Sequence, residues 1–354
     1  MKVFHLIDSG GFFGAERVLL TLAEQQILNG YDVTVVSYGS VGLAVKQIES
    51  ECEKLNIPVL KWRGLAYSNL ATLIKKNIDA VFHSHGYKFN IFLALIRLKN
   101  KKIFAVSTVH GYTNAPLLSK LNLYYIANKV ALRLLTGNVF VSKVTARVSH
   151  IRLTEKNVVI HNGIASQLPL RNKEQFTFDG GEYLVAVGRL SPEKSYDKLI
   201  LAFNLICKKY ENLSLVIIGD GPERDKLINC STGNPRVLFK GHMSNPIPLI
   251  ESARALVISS SSEGLPIVLL EAMRAGVDIV STSVGAIADV ITDGSDGVLC
   301  EAGSESALAN AIDSVLQNEK GCFGSVAKRK FQSDLTAQRM FSNYDAWYKN
   351  VVAK

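Results

Sequence analysis

The chain has 354 residues, enough for two domains with separate cores, and its 47% hydrophobic and 20% charged composition is that of a globular protein. Its longest uninterrupted apolar run, Ile91 to Ile96, is far short of the ~20 residues that span a bilayer, which excludes an integral helical membrane protein. The net charge of +9 is uneven: residues 1–165 hold 20 basic and 9 acidic side chains (net +11), residues 166–354 hold 20 and 22 (net −2), and Ala80 to Thr154 contain 11 Lys or Arg and no Asp or Glu. An excess so placed calls for an anionic partner, with nucleic acid, a membrane surface and an anionic substrate as candidates. The apolar stretch after Met1-Lys2 is too brief for a secretory signal. Cys52, Cys207, Cys230, Cys300 and Cys322 are odd in number with no Cys-x-x-Cys pair, which points to reduced thiols in a cytoplasm and to no zinc site.

In chain order, Val3–Ile7 reads as a strand that ends in the glycine turn Gly10-Gly11-x-x-Gly14 and leads into a helix from Ala15 to Leu28. Backbone N–H groups at such a turn can approach an anion. The spacing is not that of a dinucleotide fingerprint, and Val35-Val36-Ser37-Tyr38 stands where an acidic residue would be expected. Alternation continues with strand 32–37, helix 41–55, strand 58–60, helix 70–76, and strands 79–83, 103–109, 139–142 and 158–161 separated by helical stretches. Periodicity then fails, and residues 166–182 read as a linker. A second series follows: strand 183–187, helix 194–210, strand 213–218, helix 223–228, strands 237–239 and 255–259, helix 266–275, strand 277–281, helix 287–291, strand 297–300 and helix 304–316. This repeated alternation predicts an α/β protein of two doubly wound parallel sheets, residues 1–165 and 183–334, facing a central cleft, with ligands at the carboxyl ends of the strands. An amphipathic helix at about 335–354 closes the chain.

Three motifs of the second series fall at predicted strand ends. Gly188-Arg189-Leu190-Ser191-Pro192-Glu193-Lys194 places a guanidinium and an ammonium where they can converge on a diphosphate. Gly219-Asp220-Gly221-Pro222 permits close backbone approach and a helix start. In Ser260-Ser261-Ser262-Glu263-Gly264-Leu265-Pro266-Ile267-Val268-Leu269-Leu270-Glu271, Glu271 lies within an apolar helix, where a carboxylate needs hydrogen-bond donors, and vicinal sugar hydroxyls would supply them. The pair His83 and His85 has a metal-like spacing but no third ligand near it in sequence, so no metal is expected. His85 is read as lining the acceptor side of the cleft, His5 as core packing and His161 as part of a hinge.

These motifs, together with Ala15-Glu16-Arg17 after the first glycine turn, Val109-His110-Gly111 and Ile160-His161-Asn162-Gly163-Ile164, resemble those of the retaining GT-B glycosyltransferases of the family 4, group 1 type, and the resemblance covers essentially the whole chain. It implies two Rossmann-like domains, an acceptor-side domain over 1–165 onto which the final helix packs back and a nucleotide-sugar domain over 183–334. The catalytic set it implies is Arg189, Lys194, Glu263 and His110. Gly188, Gly219, Gly221, Leu265, Glu271, Gly10, Gly11 and Gly285 would bind the donor, and His85, Gly14 and Asn162 would lie on the acceptor side. Where the family commonly has Gly-Gly-x-x-Glu, this chain has Gly285-Ala286-Ile287-Ala288-Asp289, an acid one methylene shorter.

The activity implied is hexosyl transfer from a UDP-, GDP- or ADP-sugar to a glycan or lipid-linked acceptor, without metal or cofactor, in the making of bacterial surface polysaccharide, capsule or lipopolysaccharide. Two other readings are a nucleotide-sugar epimerase of similar double-sheet layout and a non-catalytic anion-binding protein. The acid-free stretch, with Lys88 to Lys102 and Leu117 to Leu135 as cationic amphipathic helices, points to peripheral contact of the amino-terminal domain with an anionic membrane, at the cytoplasmic face of an inner membrane. Nucleic acid is the least favoured partner, because it would want aromatics interleaved with arginines on an exposed sheet or loop, whereas the basic residues here lie mostly on helices and are mainly lysine.

Overall fold

The computed structural model describes residues 1–8, 11–39, 46–111, 120–167, 178 and 180–352. The chain divides into two compact units, Met1–Ala165 with Ala337–Lys354 and Ser166–Thr336.

The first unit is built on strands β1 (Lys2–Asp8), β2 (Asp32–Gly39), β3 (Val59–Arg63), β4 (Val81–Ser84), β5 (Phe104–Val109), β6 (Gly137–Phe140) and β7 (Asn157–Val159). They form one parallel sheet in the order β3-β2-β1-β4-β5-β6-β7. Continuous burial, as in β4, is what a parallel sheet covered by helices on both faces requires. Phe4, Leu6, Phe82, Phe89, Leu93 and Phe140 pack on one face, and Ile7, Leu19, Val35 and Ile48 on the other. The last helix, Ala337–Val352, belongs to this unit. Its buried residues Ala337, Met340, Phe341, Tyr344, Trp347, Tyr348 and Val351 recur at helical spacing and form one apolar stripe. Trp347 Nε1 donates to the Lys156 carbonyl at 3.2 Å and the Tyr31 hydroxyl to Asp345 at 2.6 Å, fixing the helix at the residues that precede β7 and β2.

The second unit carries β8 (Glu182–Val187), β9 (Leu213–Ile218), β10 (Val237–Gly241), β11 (Ala255–Ile258), β12 (Asp278–Thr282) and β13 (Val298–Cys300), again all parallel, in the order β10-β9-β8-β11-β12-β13. Leu184, Leu199, Phe203, Ile217 and Ile312 belong to its core. A buried ion pair closes the end opposite the strand carboxyl termini: Arg254 lies 2.7 Å from Asp278. The guanidinium also donates to the carbonyls of Val315 and Asn318, while Asp278 accepts from the amides of Gly321, Phe323 and Gly324. Burial of two charges is tolerable here because each has several hydrogen-bonding partners.

Local details depart from the sequence reading. The helix expected over 194–210 is a 3-10 turn, Pro192–Lys194, then Ser195 with φ +50° and a helix Tyr196–Ile206, so Lys194 precedes the helix. Helices Ile247–Ser252 and Cys322–Asp334 were not anticipated. The last starts where Asp278 caps its first amides, and Gly324 lets it press on Gly276, since a Cβ there would lie 2.2 Å from the Gly276 carbonyl oxygen. In each sheet the strand order reverses once, between β1 and β4 and between β8 and β11. In doubly wound sheets such switch points open a crevice at the carboxyl ends.

Candidate functional site

In the second unit the loops after β8, β11 and β12 are tied together at such a switch point. Lys194 Nζ lies 2.6 Å from Glu263 Oε1, with the side chains 22% and 10% exposed. Ser260 Oγ donates to the same carboxylate oxygen at 2.6 Å. The Lys194 carbonyl accepts from Ser259 Oγ at 2.8 Å, the Glu193 carbonyl from the Ser261 amide at 2.8 Å, and Thr282 Oγ1 donates to the Ser260 carbonyl at 2.6 Å. Two residues 69 apart in sequence, given separate roles there, are thus one ion pair. The ammonium still has N–H donors beyond the one facing Glu263, so an anion can join without breaking the pair.

Arg189 stands exposed directly after β8. It and Lys194 both act on Glu193: burial pushes that carboxyl up, but the Ser191 hydroxyl, a backbone amide and these two cations hold it below the usual carboxylate range. Glu193 and its Ser191 partner were not singled out from sequence, although both sit inside the Arg189–Lys194 motif.

The glycines at these strand ends pack closely against neighbouring backbone. The amides of Gly188, Gly219 and Gly221 donate to Ile218 O, Gly241 O and Asp220 Oδ1, so these N–H groups are already engaged within the protein. Their contribution is close packing. A Cβ on Gly219, whose φ is +144°, would fall 1.8 Å from the Gly188 carbonyl oxygen, and one on Gly285, at φ +58°, 1.9 Å from that of Glu263. Leu265 is buried. Glu271 is buried on the helix Ile267–Ala275. Asp289 is exposed on the short helix Ile287–Val290.

In the first unit, Asp8 at the end of β1, His85 directly after β4 and His110 directly after β5 stand beside a cavity of about 420 Å³ that Lys88, Asn90 and Tyr124 also line. Asp8 pairs with Lys88 at 2.7 Å, and the ammonium stands 4.4 Å over the Tyr38 ring, so Lys88 belongs to this site rather than to an outward cationic face. Gly10 lies outside the described residues. Gly11 precedes the helix Gly14–Leu28, and Gly14 is its exposed first residue. At this turn the Phe13 amide donates to the Glu16 carboxylate at 2.7 Å. Asn162 is buried after β7 and does not line the cavity. His161 Nδ1 bonds the Val141 carbonyl at 3.0 Å.

A third histidine does join His83 and His85. His5 on β1 is the register partner of His83 on β4, and ligating atoms of His5, His83 and His85 lie within 4.8 Å of one another. Their ring nitrogens are paired by hydrogen bonds. His5 Nδ1 is 2.9 Å from His85 Nε2, His5 Nε2 is 2.7 Å from Gln26 Oε1, and His85 Nδ1 is 3.0 Å from His110 Nε2. His83 bonds the Tyr348 hydroxyl at 2.6 Å and Thr108 Oγ1 at 2.8 Å. Two imidazoles on one tetrahedral zinc ion stand about 3.3 Å apart at a Zn–N length of ~2.0 Å, so 2.9 Å is the distance of a shared proton. Burial pushes His110 down to about 4, and takes His5 to about 4 against the opposing Gln26 hydrogen bond. It lowers His83 and His85 well below the ordinary value, with the neighbouring histidines adding to the effect. All four rings are neutral at pH 7.

Residues 13–168 match the family described as Glycosyltransferase Family 4, and residues 170–329 match Glycosyl transferases group 1. The capsular polysaccharide biosynthesis glycosyltransferase CapM of Staphylococcus aureus is 21% identical, over 98% of this chain and 96% of its own. A Campylobacter jejuni transferase that adds N-acetyl-galactosamine to an undecaprenol-diphosphate glycan is 26% identical over 90% of each chain. Among solved structures, Anabaena Alr3699/HepE in complex with UDP superposes with a TM-score of 0.81 at 20% identity, over 99% of this chain and 100% of that one. The lipopolysaccharide outer core galactosyltransferase WaaB gives 0.74 at 17% identity over 99% of each. With two matched halves in this order on two doubly wound sheets, the chain belongs to the group 1, family 4 glycosyltransferases of the GT-B fold.

Proposed function

We propose that this glycosyltransferase moves a hexose, with retention of configuration, from a nucleotide-diphosphate sugar to a glycan or lipid-linked acceptor in bacterial surface glycan biosynthesis. The observation that carries this reading is the Lys194–Glu263 pair at the β8/β11 switch point with Arg189 beside it. Loss of a nucleoside diphosphate develops negative charge on phosphate, and fixed cations aimed at it lower the barrier without needing a metal. In this scheme Arg189 and Lys194 receive the diphosphate, Glu271 accepts from the ribose hydroxyls, Glu263 contacts the sugar, and the amino-terminal cavity with His110 and His85 receives sugar and acceptor. Similar proteins act on capsule and lipid-linked glycans, and HepE was solved with UDP and with UDP-glucose. UDP, GDP and ADP at millimolar concentration test the donor site by thermal shift. One of them should raise Tm by several degrees, because binding the folded state at 100 times Kd adds about 2.7 kcal/mol. No shift with any of the three would contradict the reading.

The same proposal includes peripheral attachment of the first unit to the cytoplasmic face of an anionic membrane. Among the described residues no helix is long and apolar enough to cross a membrane. On the helix Lys120–Leu134, however, Leu123, Ile126 and Val130 form an outward stripe, each more than half exposed, beside exposed Tyr124 and Arg133. The inner side of that helix packs through Tyr125, Ala131 and Leu132, so it is apolar on two sides. Nearby, Arg97, Arg133, Arg152 and Lys156 line a cavity of about 530 Å³ with no acidic residue. Apolar residues at the acyl boundary and cations at the headgroups fit such a surface. Vesicles rich in phosphatidylglycerol should bind the protein, and the double change Ile126→Glu, Val130→Glu should weaken binding at least tenfold at unchanged Tm. Equal binding of the variant, or equal binding to phosphatidylcholine, would sink this part of the proposal.

A further inference from the structure

The hydrogen bonds around the buried histidines form one connected chain from the last helix to the cavity. Tyr348 lies 2.6 Å from His83 Nδ1 and 3.4 Å from Gln26 Nε2. The Gln26 amide nitrogen only donates, so the phenol oxygen accepts from it and the single phenol proton is directed to His83 Nδ1. That orientation turns Gln26 Oε1 toward His5 Nε2 at 2.7 Å. An amide oxygen only accepts, so neutral His5 carries its proton on Nε2 and offers Nδ1 as acceptor. His85 must therefore donate from Nε2 across 2.9 Å, and its own Nδ1 is left to accept. His110 in turn donates from Nε2 across 3.0 Å. The ring of His110 that reaches the cavity is thus protonated on Nε2 and bare on Nδ1. On the other branch His83 donates from Nε2 to Thr108, which bonds Tyr344 at 2.8 Å.

We infer that Gln26, His5, His85 and Tyr348 form a proton-ordering relay that fixes His110 as a hydrogen-bond acceptor through Nδ1, and so makes the cavity select a sugar or acceptor hydroxyl that donates at that point. These four are positioning residues, since they act through His110. Burial keeps the relay neutral, which prevents a second proton from reversing its direction. The last helix supplies Tyr348 and thereby sets the tautomer of a ring in a loop about 240 residues earlier in the chain. The functional half of the inference rests on the proposed placement of substrate at His110; the proton order does not.

The test uses the full-length protein with ¹⁵N-labelled histidines, of which there are seven, in long-range proton–nitrogen spectra at pH 7.5. The expected result is a neutral Nε2–H tautomer for His5, His85 and His110, with His110 assigned from the peak lost in His110→Ala. A dominant Nδ1–H tautomer at His110 overturns the relay. Gln26 Oε1 is the acceptor that faces His5 and fixes its tautomer. Gln26→Leu removes it and should give mixed tautomers at His5, His85 and His110; an unchanged His110 signal in a folded Gln26→Leu protein also overturns the relay, and should that variant not fold, the wild-type spectrum still decides. In turnover, a substrate with fluorine in place of the matching hydroxyl should lose as much kcat/KM as the deoxy compound, since fluorine cannot donate. An Nε2–H His110 in a protein that turns over no nucleotide sugar would leave the relay standing and remove the proposed function; the converse would leave the function and remove the relay.

Discussion

Lys194→Ala is expected to lower the turnover number for sugar transfer by roughly 10²–10³-fold, the effect of removing one preorganised group from a developing oxyanion and about 3–4 kcal/mol of barrier. The ammonium is held from one side by Glu263 at 2.6 Å and its backbone by Ser259. It therefore meets an incoming diphosphate without reorganising, and water replacing it would have to be oriented anew. The fold should tolerate the change. The Glu263 carboxylate keeps the Ser260 hydroxyl as a donor and a route to solvent in the variant, so losing its cation should lower Tm without unfolding the protein. Steady-state kinetics beside a circular-dichroism melt separates the two effects. A variant within tenfold of wild-type turnover, or one whose activity falls only because it unfolds, would contradict the role given to Lys194.

Acid should destabilise the first unit well before its carboxylates titrate. The folded pKa of His5 is depressed from 6.5 to about 4, so between those values the unfolded chain binds more protons and stability rises with pH. The stabilisation is complete above about 6.5 and is lost as pH falls toward 4. For fully buried His5 alone the shift amounts to about 3 kcal/mol, and His83, His85 and His110 shift in the same direction. Carboxylates contribute later. Burial raises Glu49, yet Arg63 and Ser37 hold it below its ordinary 4.5, so its share is lost only below about that pH. Both tryptophans, Trp62 and Trp347, lie in this unit, and denaturant titrations followed by their fluorescence report on it selectively. The midpoint should fall steadily from pH 7 to pH 5. A midpoint unchanged over that range would mean that the four rings are not buried as neutral groups.

What could be read from the sequence was local. Alternating apolar runs and helical stretches disclose two doubly wound sheets, and motifs at strand ends disclose where chemistry sits, because both are set within about thirty residues. Contacts set by sheet order were hidden. His5 looks like one polar residue inside an apolar strand, and only the pairing of β1 with β4 puts it beside His83. Glu263 and Lys194 could each be singled out, but their union depends on β8 and β11 being neighbours. Ser195 carries no local mark of a left-handed residue, so the break that sets Lys194 ahead of its helix was missed. The helix Cys322–Asp334 contains a glycine in its first turn, and its stability comes from Asp278 and from contact with Gly276 rather than from its own propensity.

The most direct measurement is transfer itself. Purified protein is incubated with a panel of UDP-, GDP- and ADP-sugars and membrane extract as acceptor source, and the anomeric configuration of the product is compared with that of the donor by NMR. The expected result is transfer from one class of nucleotide sugar, with the donor's configuration kept in the product. Transfer from none of them, or a product of inverted configuration, would contradict the assignment of a retaining nucleotide-sugar glycosyltransferase.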